Sequence, residues 1–167
     1  DLSTTAAARL IFSALRCVIY NFRQGDVLTL IKTGLCGIDP KEADLFEEYC
    51  YTWSINGEKF KEELWSMNPG GYTADPPRGR EKDILLAANR VRKALITPLV
   101  RLKQRFSAAN GNTLENCRAL YDYLLDINLQ KQLTDLAEFD LISGNLRSAG
   151  EHLRLYDYLI SAITDLG

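Results

Sequence analysis

The sequence predicts an all-α fold, an irregular multi-helix bundle of about six or seven helices. Three observations carry this. Apolar residues recur at helical spacing in nearly every segment, and no stretch alternates as a half-buried strand does. Start and stop residues also fall at intervals of a helix length, at Asp39-Pro40, Gly34 and Gly37, Thr113 and Ser143-Gly144-Asn145.

A first helix is expected from about Thr5 to Phe22, with Leu10, Ile11, Ala14, Leu15, Val18 and Ile19 on its buried face. A second covers about Asp26 to Thr33 and stops at Gly34, which suits a C-cap. The third, about Pro40 to Ser54, has a full start signal. Asp39 can cap it, Pro40 fits the first turn, and Glu42 completes a capping box. Tyr49 and Trp53, four apart, are expected to face the core together. After a glycine turn at Asn56-Gly57, residues 67–79 carry three of the five prolines and three of the eleven glycines. That composition predicts an irregular, mobile loop.

A long helix is expected from about Glu81 to Ala108. Pro98 should kink it, or end one helix and start another capped by Thr97. Thr113 opens the next, which breaks near Asn128 and resumes to about Ile142. The last runs from Leu146 to Leu166, with a stripe of Leu146, Leu153, Tyr156, Ile160 and Ile163. Leu-Tyr-Asp-Tyr-Leu occurs twice, at 120–124 and 155–159. Two copies without other repeat marks read as coincidence between two core-facing helices rather than a helical repeat.

At 167 residues the chain is expected to form one helical domain spanning 1–167, large enough for a core without disulfide or metal staples. No apolar run approaches the ~18 residues of a membrane span, and no signal-peptide pattern opens the chain. The start at Asp1 without methionine suggests a fragment of a longer polypeptide. Cys17, Cys36, Cys50 and Cys117 lack any Cys-x-x-Cys or metal-ligand spacing and read as free thiols, mostly buried.

Few residues offer chemistry. Lys32-Thr33 looks like the tail of a phosphate loop, but Ile31 and Asp26 stand where that motif needs glycine. His152, the only histidine, lies in a Glu-His-Leu-Arg stretch and reads as a surface or capping residue. Glu47-Glu48 and Glu62-Glu63 read as solvated helix faces. No catalytic, cofactor-binding or metal residue is assigned, so the segment is expected to be no enzyme in isolation.

Charge is unevenly distributed. Residues 78–105 hold nine basic and two acidic residues, a net +7, while the remainder carries eleven basic and twenty acidic, a net −9. At ~100° per residue, Lys82, Arg90, Lys93, Arg101 and Arg105 fall within about 140° of one another. Ile84, Val91, Leu95, Leu99, Leu102 and Phe106 gather on another side. Such a helix can follow a phosphate backbone or pair with acidic helices of its own domain, and charge alone leaves both open.

The order of pieces from 26 to 60 resembles a segment of AddB-type helicase–nuclease subunits. The residues that carry the likeness are Asp26, Val27, Leu30, Ile31, Lys32, Thr33, Gly34, Leu35, Ile38, Glu42, Asp44, Glu47, Tyr49, Trp53, Ile55, Gly57 and Phe60. The family often has leucine at the place of Phe46 and tryptophan at that of Phe60. Residues 90–106 are similar to its basic helix with an internal proline, 121–133 to a Tyr-x-Phe/Tyr-Leu stretch, and 145–160 to its closing Glu-His run. The resemblance implies the helical insertion of the second helicase-like domain of a cytoplasmic bacterial subunit. Such a subunit works with an AddA-type partner on DNA, in double-strand-break repair by recombination. It further implies ATP, magnesium and an iron–sulfur cluster in the parent protein, with none held in this segment. The tasks left for the segment are contact with DNA or the partner subunit, through Lys82, Arg90, Lys93, Arg101 and Arg105. The competing class is a stand-alone helical-repeat interaction module.

Overall fold

The computed structural model describes residues 6–165. Among them are seven α-helices: α1 Ala6–Ile19, α2 Gln24–Ile31, α3 Pro40–Thr52, α4 Arg80–Ala109, α5 Thr113–Asp126, α6 Leu129–Ile142 and α7 Leu146–Asp165, plus a short 3₁₀ helix at Gly57–Lys61. The fold is all-α. The expected start at Thr5 and end at Leu166 lie outside the described residues. Two compact units emerge, one of residues 1–34 with 38–99, the other of 35–37 with 100–167.

In the first unit α1 ends early because Asn21 and Phe22 turn left-handed, at φ 53° and 57°. The Phe22 amide reaches back to the Cys17 carbonyl at 2.7 Å. Its buried face is Ala7, Leu10, Ser13, Ala14, Cys17 and Val18. Ile19, expected inside, is 67% exposed, because the helix stops at its own residue. Helix α3 starts as expected, with Asp39 Oδ1 accepting from the amides of Lys41 at 2.9 Å and Glu42 at 3.3 Å. The reciprocal half of the box is replaced, since the Glu42 carboxylate takes Arg90 of α4 instead.

The core of this unit is aromatic. Trp65, 1% exposed, stacks on Tyr49 at 5.1 Å and Phe46 at 5.9 Å, with Phe60 at 6.0 Å. Asn89 of α4 grips its backbone, accepting from the Trp65 amide and donating to its carbonyl, both at 2.9 Å. The Trp65 indole N–H is satisfied by the Lys59 carbonyl at 2.8 Å. The expectation that Trp53 shares the core with Tyr49 fails. Helix α3 has ended at Thr52, so Trp53 leaves the helical face, is only half-buried, and meets Tyr72 edge-on at 4.8 Å. Within residues 67–79 the base is anchored by the buried Asn68, whose Nδ2 donates to the Asp75 carbonyl at 3.0 Å and whose Oδ1 accepts from Gly70 at 2.8 Å.

Helix α4 runs unbroken through Pro98, so Thr97 caps no second helix. Proline removes one N–H from the ladder. The run of Val91, Leu95, Leu99 and Leu102, all buried, offsets that loss by packing. In the second unit α5 is capped by Asn112, which accepts from the Glu115 amide at 3.1 Å. The break to α6 falls at Asn128, left-handed at φ 53°, as the sequence suggested. Helices α6 and α7 pack closely, with α5 against both. The α7 stripe is only partly correct. Tyr156, Ile160 and Ile163 are half-buried, but Leu146 is 70% and Leu153 51% exposed, and the fully buried Ala149 and Leu155 lie outside the expected stripe. The two Leu-Tyr-Asp-Tyr-Leu copies sit differently too, with Tyr123 buried and its counterpart Tyr158 62% exposed. Equivalent repeats would bury equivalent positions.

Candidate nucleic-acid or partner interface

Helix α4 places Lys82, Arg90, Lys93, Arg101 and Arg105 at its surface, all exposed. The first three belong to the first unit and the last two to the second. Within the first unit, Arg90 Nε donates to Glu42 Oε1 at 3.0 Å, and the neighbouring Arg80 reaches Glu48 at 2.9 Å. Lys82 and Lys93 make no ion pair among the described residues. Within the second unit, Arg101 lies 3.7 Å from Asp126 and Arg105 3.3 Å from Asp122. Three of the five therefore pair with acids of their own unit.

Those pairs are solvated. Side-chain exposures are 60% and 34% for Arg90 and Glu42, 56% and 27% for Arg101 and Asp126, and 42% and 45% for Arg105 and Asp122. Exposed ion pairs contribute little and are screened by salt, so a phosphate can replace the carboxylate at small cost. Arg92 is the contrary case. It is buried, lies 5.7 Å over the Trp65 ring and donates to the Glu63 carbonyl, and burial lowers its guanidinium pKa. It braces the core and offers no charge to a ligand.

The other chemical candidates resolve into packing. Lys32 Nζ binds Glu47 at 2.6 Å, a bond that raises the lysine pKa. Glu47 and Glu48 thus each meet a cation of the first unit. His152 is more engaged than a surface histidine. In the second unit its Nε2 stands 3.3 Å from Asp140 Oδ2 and 3.4 Å from Ser148 Oγ. Histidine, serine and aspartate are together, yet both partners meet the same ring nitrogen. A nucleophile–base–carboxylate relay needs the carboxylate on the opposite nitrogen, so this trio links α6 to α7 and is not arranged as such a relay.

None of the four cysteines forms a disulfide, and Cys17 and Cys50 are fully buried. Burial pushes the Cys50 thiol well above its ordinary range, which disfavours the thiolate a metal needs. No group of three or more His, Cys, Asp or Glu among the described residues could hold a metal ion.

One basic surface was missed in the sequence. Residues 6–33 hold Arg9, Arg16, Arg23 and Lys32 against the single acid Asp26. The signal was there, but it is weaker per residue than in 78–105 and was hidden by the apolar pattern of α1.

No family model matches the chain. Curated relatives do. The AddB-type subunit of the ATP-dependent helicase/deoxyribonuclease of Acetivibrio thermocellus is 29% identical over 158 residues, covering 94% of this chain and 14% of the relative. The corresponding protein of Ruminiclostridium cellulolyticum is 26% identical over 161 residues, 96% of this chain and again 14% of the relative. That of Clostridium acetobutylicum is 27% identical over 168 residues, 99% and 14%. The chain is similar to one segment of AddB-type proteins. The resemblance seen in residues 26–60 and beyond thus extends over nearly all of it. The chain spans about 14% of the length of these curated relatives. No helix of the described residues is long and apolar enough to cross a membrane.

Proposed function

We propose that the chain is a non-catalytic helical segment of a cytoplasmic ATP-dependent helicase/exonuclease subunit acting in double-strand-break repair by recombination. Its task in that machine is to hold DNA, alongside an AddA-type partner. The observation that carries this reading is the likeness to AddB-type proteins along 94% or more of the chain in three relatives. ATP, magnesium and any iron–sulfur cluster belong to parts of the longer polypeptide or complex outside these residues. Supporting the contact role, Lys82 and Lys93 stand in solvent, and Arg90, Arg101 and Arg105 are tied only by exposed pairs that phosphate can displace.

The test is charge reversal. Arg90→Glu, Lys93→Glu, Arg101→Glu and Arg105→Glu together should abolish duplex DNA binding by the 167-residue chain, with its helical circular dichroism retained. The parent should bind weakly, in the ~10⁻⁴–10⁻⁶ M range of non-specific contact. Binding equal to the parent in the reversed variant would contradict the α4 reading. Magnesium-dependent cleavage or ATP hydrolysis by purified chain, abolished by a point substitution within it, would contradict the non-catalytic reading.

A further inference from the structure

The first unit carries a second cationic surface, on α1 and α2, that differs in kind from the α4 helix because an aromatic side chain stands among its charges. Arg9, Phe12 and Arg16 follow one another along α1 at spacings of three and four, which places them on one face. With Lys32 just after α2 they line a cleft of about 260 Å³. Phe12 is 59% exposed at this cleft, with a cation one turn to either side. Arg9 is exposed and has no ion pair among the described residues.

The arginine at the other end is held in place. Arg16 spends only its Nε on Asp26, at 2.7 Å, which leaves its two terminal nitrogens for a ligand. Asp26 is buried, so its charge fixes Arg16 without facing the cleft as a competing anion. Two guanidinium groups lie over the Tyr20 ring, with Arg16 at 5.1 Å and Arg23 at 4.5 Å from its centre. Burial of Phe12 in a core is not its role here, and the charge around it is positive over residues 6–33.

We propose that this cleft binds single-stranded DNA, a base stacking on Phe12 while Arg9 and Arg16 take the flanking phosphates. Stacking platforms among cations suit a strand whose base faces are free, whereas a duplex offers only its backbone and would leave Phe12 idle. The inference rests on the reading that this segment meets DNA, and it adds a site and a substrate form to it.

The experiment compares a labelled oligothymidylate with a duplex of equal length by fluorescence anisotropy at low salt. The 167-residue chain is measured beside Phe12→Ala, Arg9→Glu and the fourfold α4 reversal. Phe12→Ala should weaken strand binding by roughly five- to a hundredfold and leave duplex binding unchanged. Arg9→Glu should weaken the strand and lower its salt dependence by about one phosphate. Both residues are exposed, so the fold should hold. A readout that needs no variant is photo-cross-linking of a 5-iodouracil strand to the parent chain, with the adduct expected in residues 9–16. Equal losses for strand and duplex in Phe12→Ala, or an adduct only elsewhere, would overturn the proposal. Normal binding by Phe12→Ala and Arg9→Glu with total loss in the α4 reversal would overturn this site alone. The converse would overturn the α4 reading alone, and a parent that binds neither DNA would overturn both.

Discussion

Trp65 organises the first unit through three aromatic contacts, one indole hydrogen bond and the two-way grip of Asn89. Trp65→Ala should therefore destabilise by roughly 3–5 kcal/mol, the cost of emptying a large buried site. Trp53→Ala should cost clearly less, because its ring leans on the exposed Tyr72. Urea melts of the two variants decide the order, and equal losses would contradict it. The sequence alone ranks these tryptophans the wrong way round. Trp53 follows a clean helical pattern, whereas Trp65 lies in an aperiodic stretch and is buried only by side chains distant in sequence. Tyr49 gives a pH test. Burial pushes its hydroxyl up from the ordinary 10 to about 12. The folded state then holds a proton that the unfolded chain releases first. The associated stability is fully present below pH ~10 and lost as pH rises toward about 12. In Tyr49→Phe the urea midpoint should fall less over that window than in the parent, and parallel curves would contradict the assignment.

Helix boundaries were legible wherever a side chain closes the backbone locally. Asp39 before Pro40 and the left-handed Asn128 mark ends that depend on near neighbours alone. Asp39→Ala should accordingly cost about 1 kcal/mol through the lost cap, measured by urea denaturation. Faces and breaks that depend on distant packing were less legible. Periodicity placed Ile84, Val91, Leu95, Leu99 and Leu102 inside, where they are. It could not show how far a neighbour reaches over α7, so Leu146 and Leu153 were misplaced. Pro98 was expected to interrupt α4, yet packing on both sides of it keeps the helix whole. Its missing hydrogen bond should still cost something, and Pro98→Ala should raise stability by up to about 3 kcal/mol. A decrease in the urea midpoint would mean that the proline ring itself is needed for packing.

For the whole molecule, the composition and the order of motifs led to the helical class and to the AddB-type likeness, whereas the site came through less completely. Charge counting found the α4 cations but could not reveal that three of them hold exposed carboxylates, since those partners lie 17, 25 or 48 residues away in Asp122, Asp126 and Glu42. Counting also passed over α1, where Arg9, Phe12 and Arg16 share a face. On the proposed reading, DNA contact is an electrostatic property of an acidic chain whose cations are gathered in two places. Its most direct test is the salt dependence of oligothymidylate binding by the unmodified chain. Three to five phosphates neutralised should give a slope of log affinity against log salt of roughly −2 to −3.5, at about 0.7 per contact on a single strand. A slope near zero, or no binding at low salt, would contradict it.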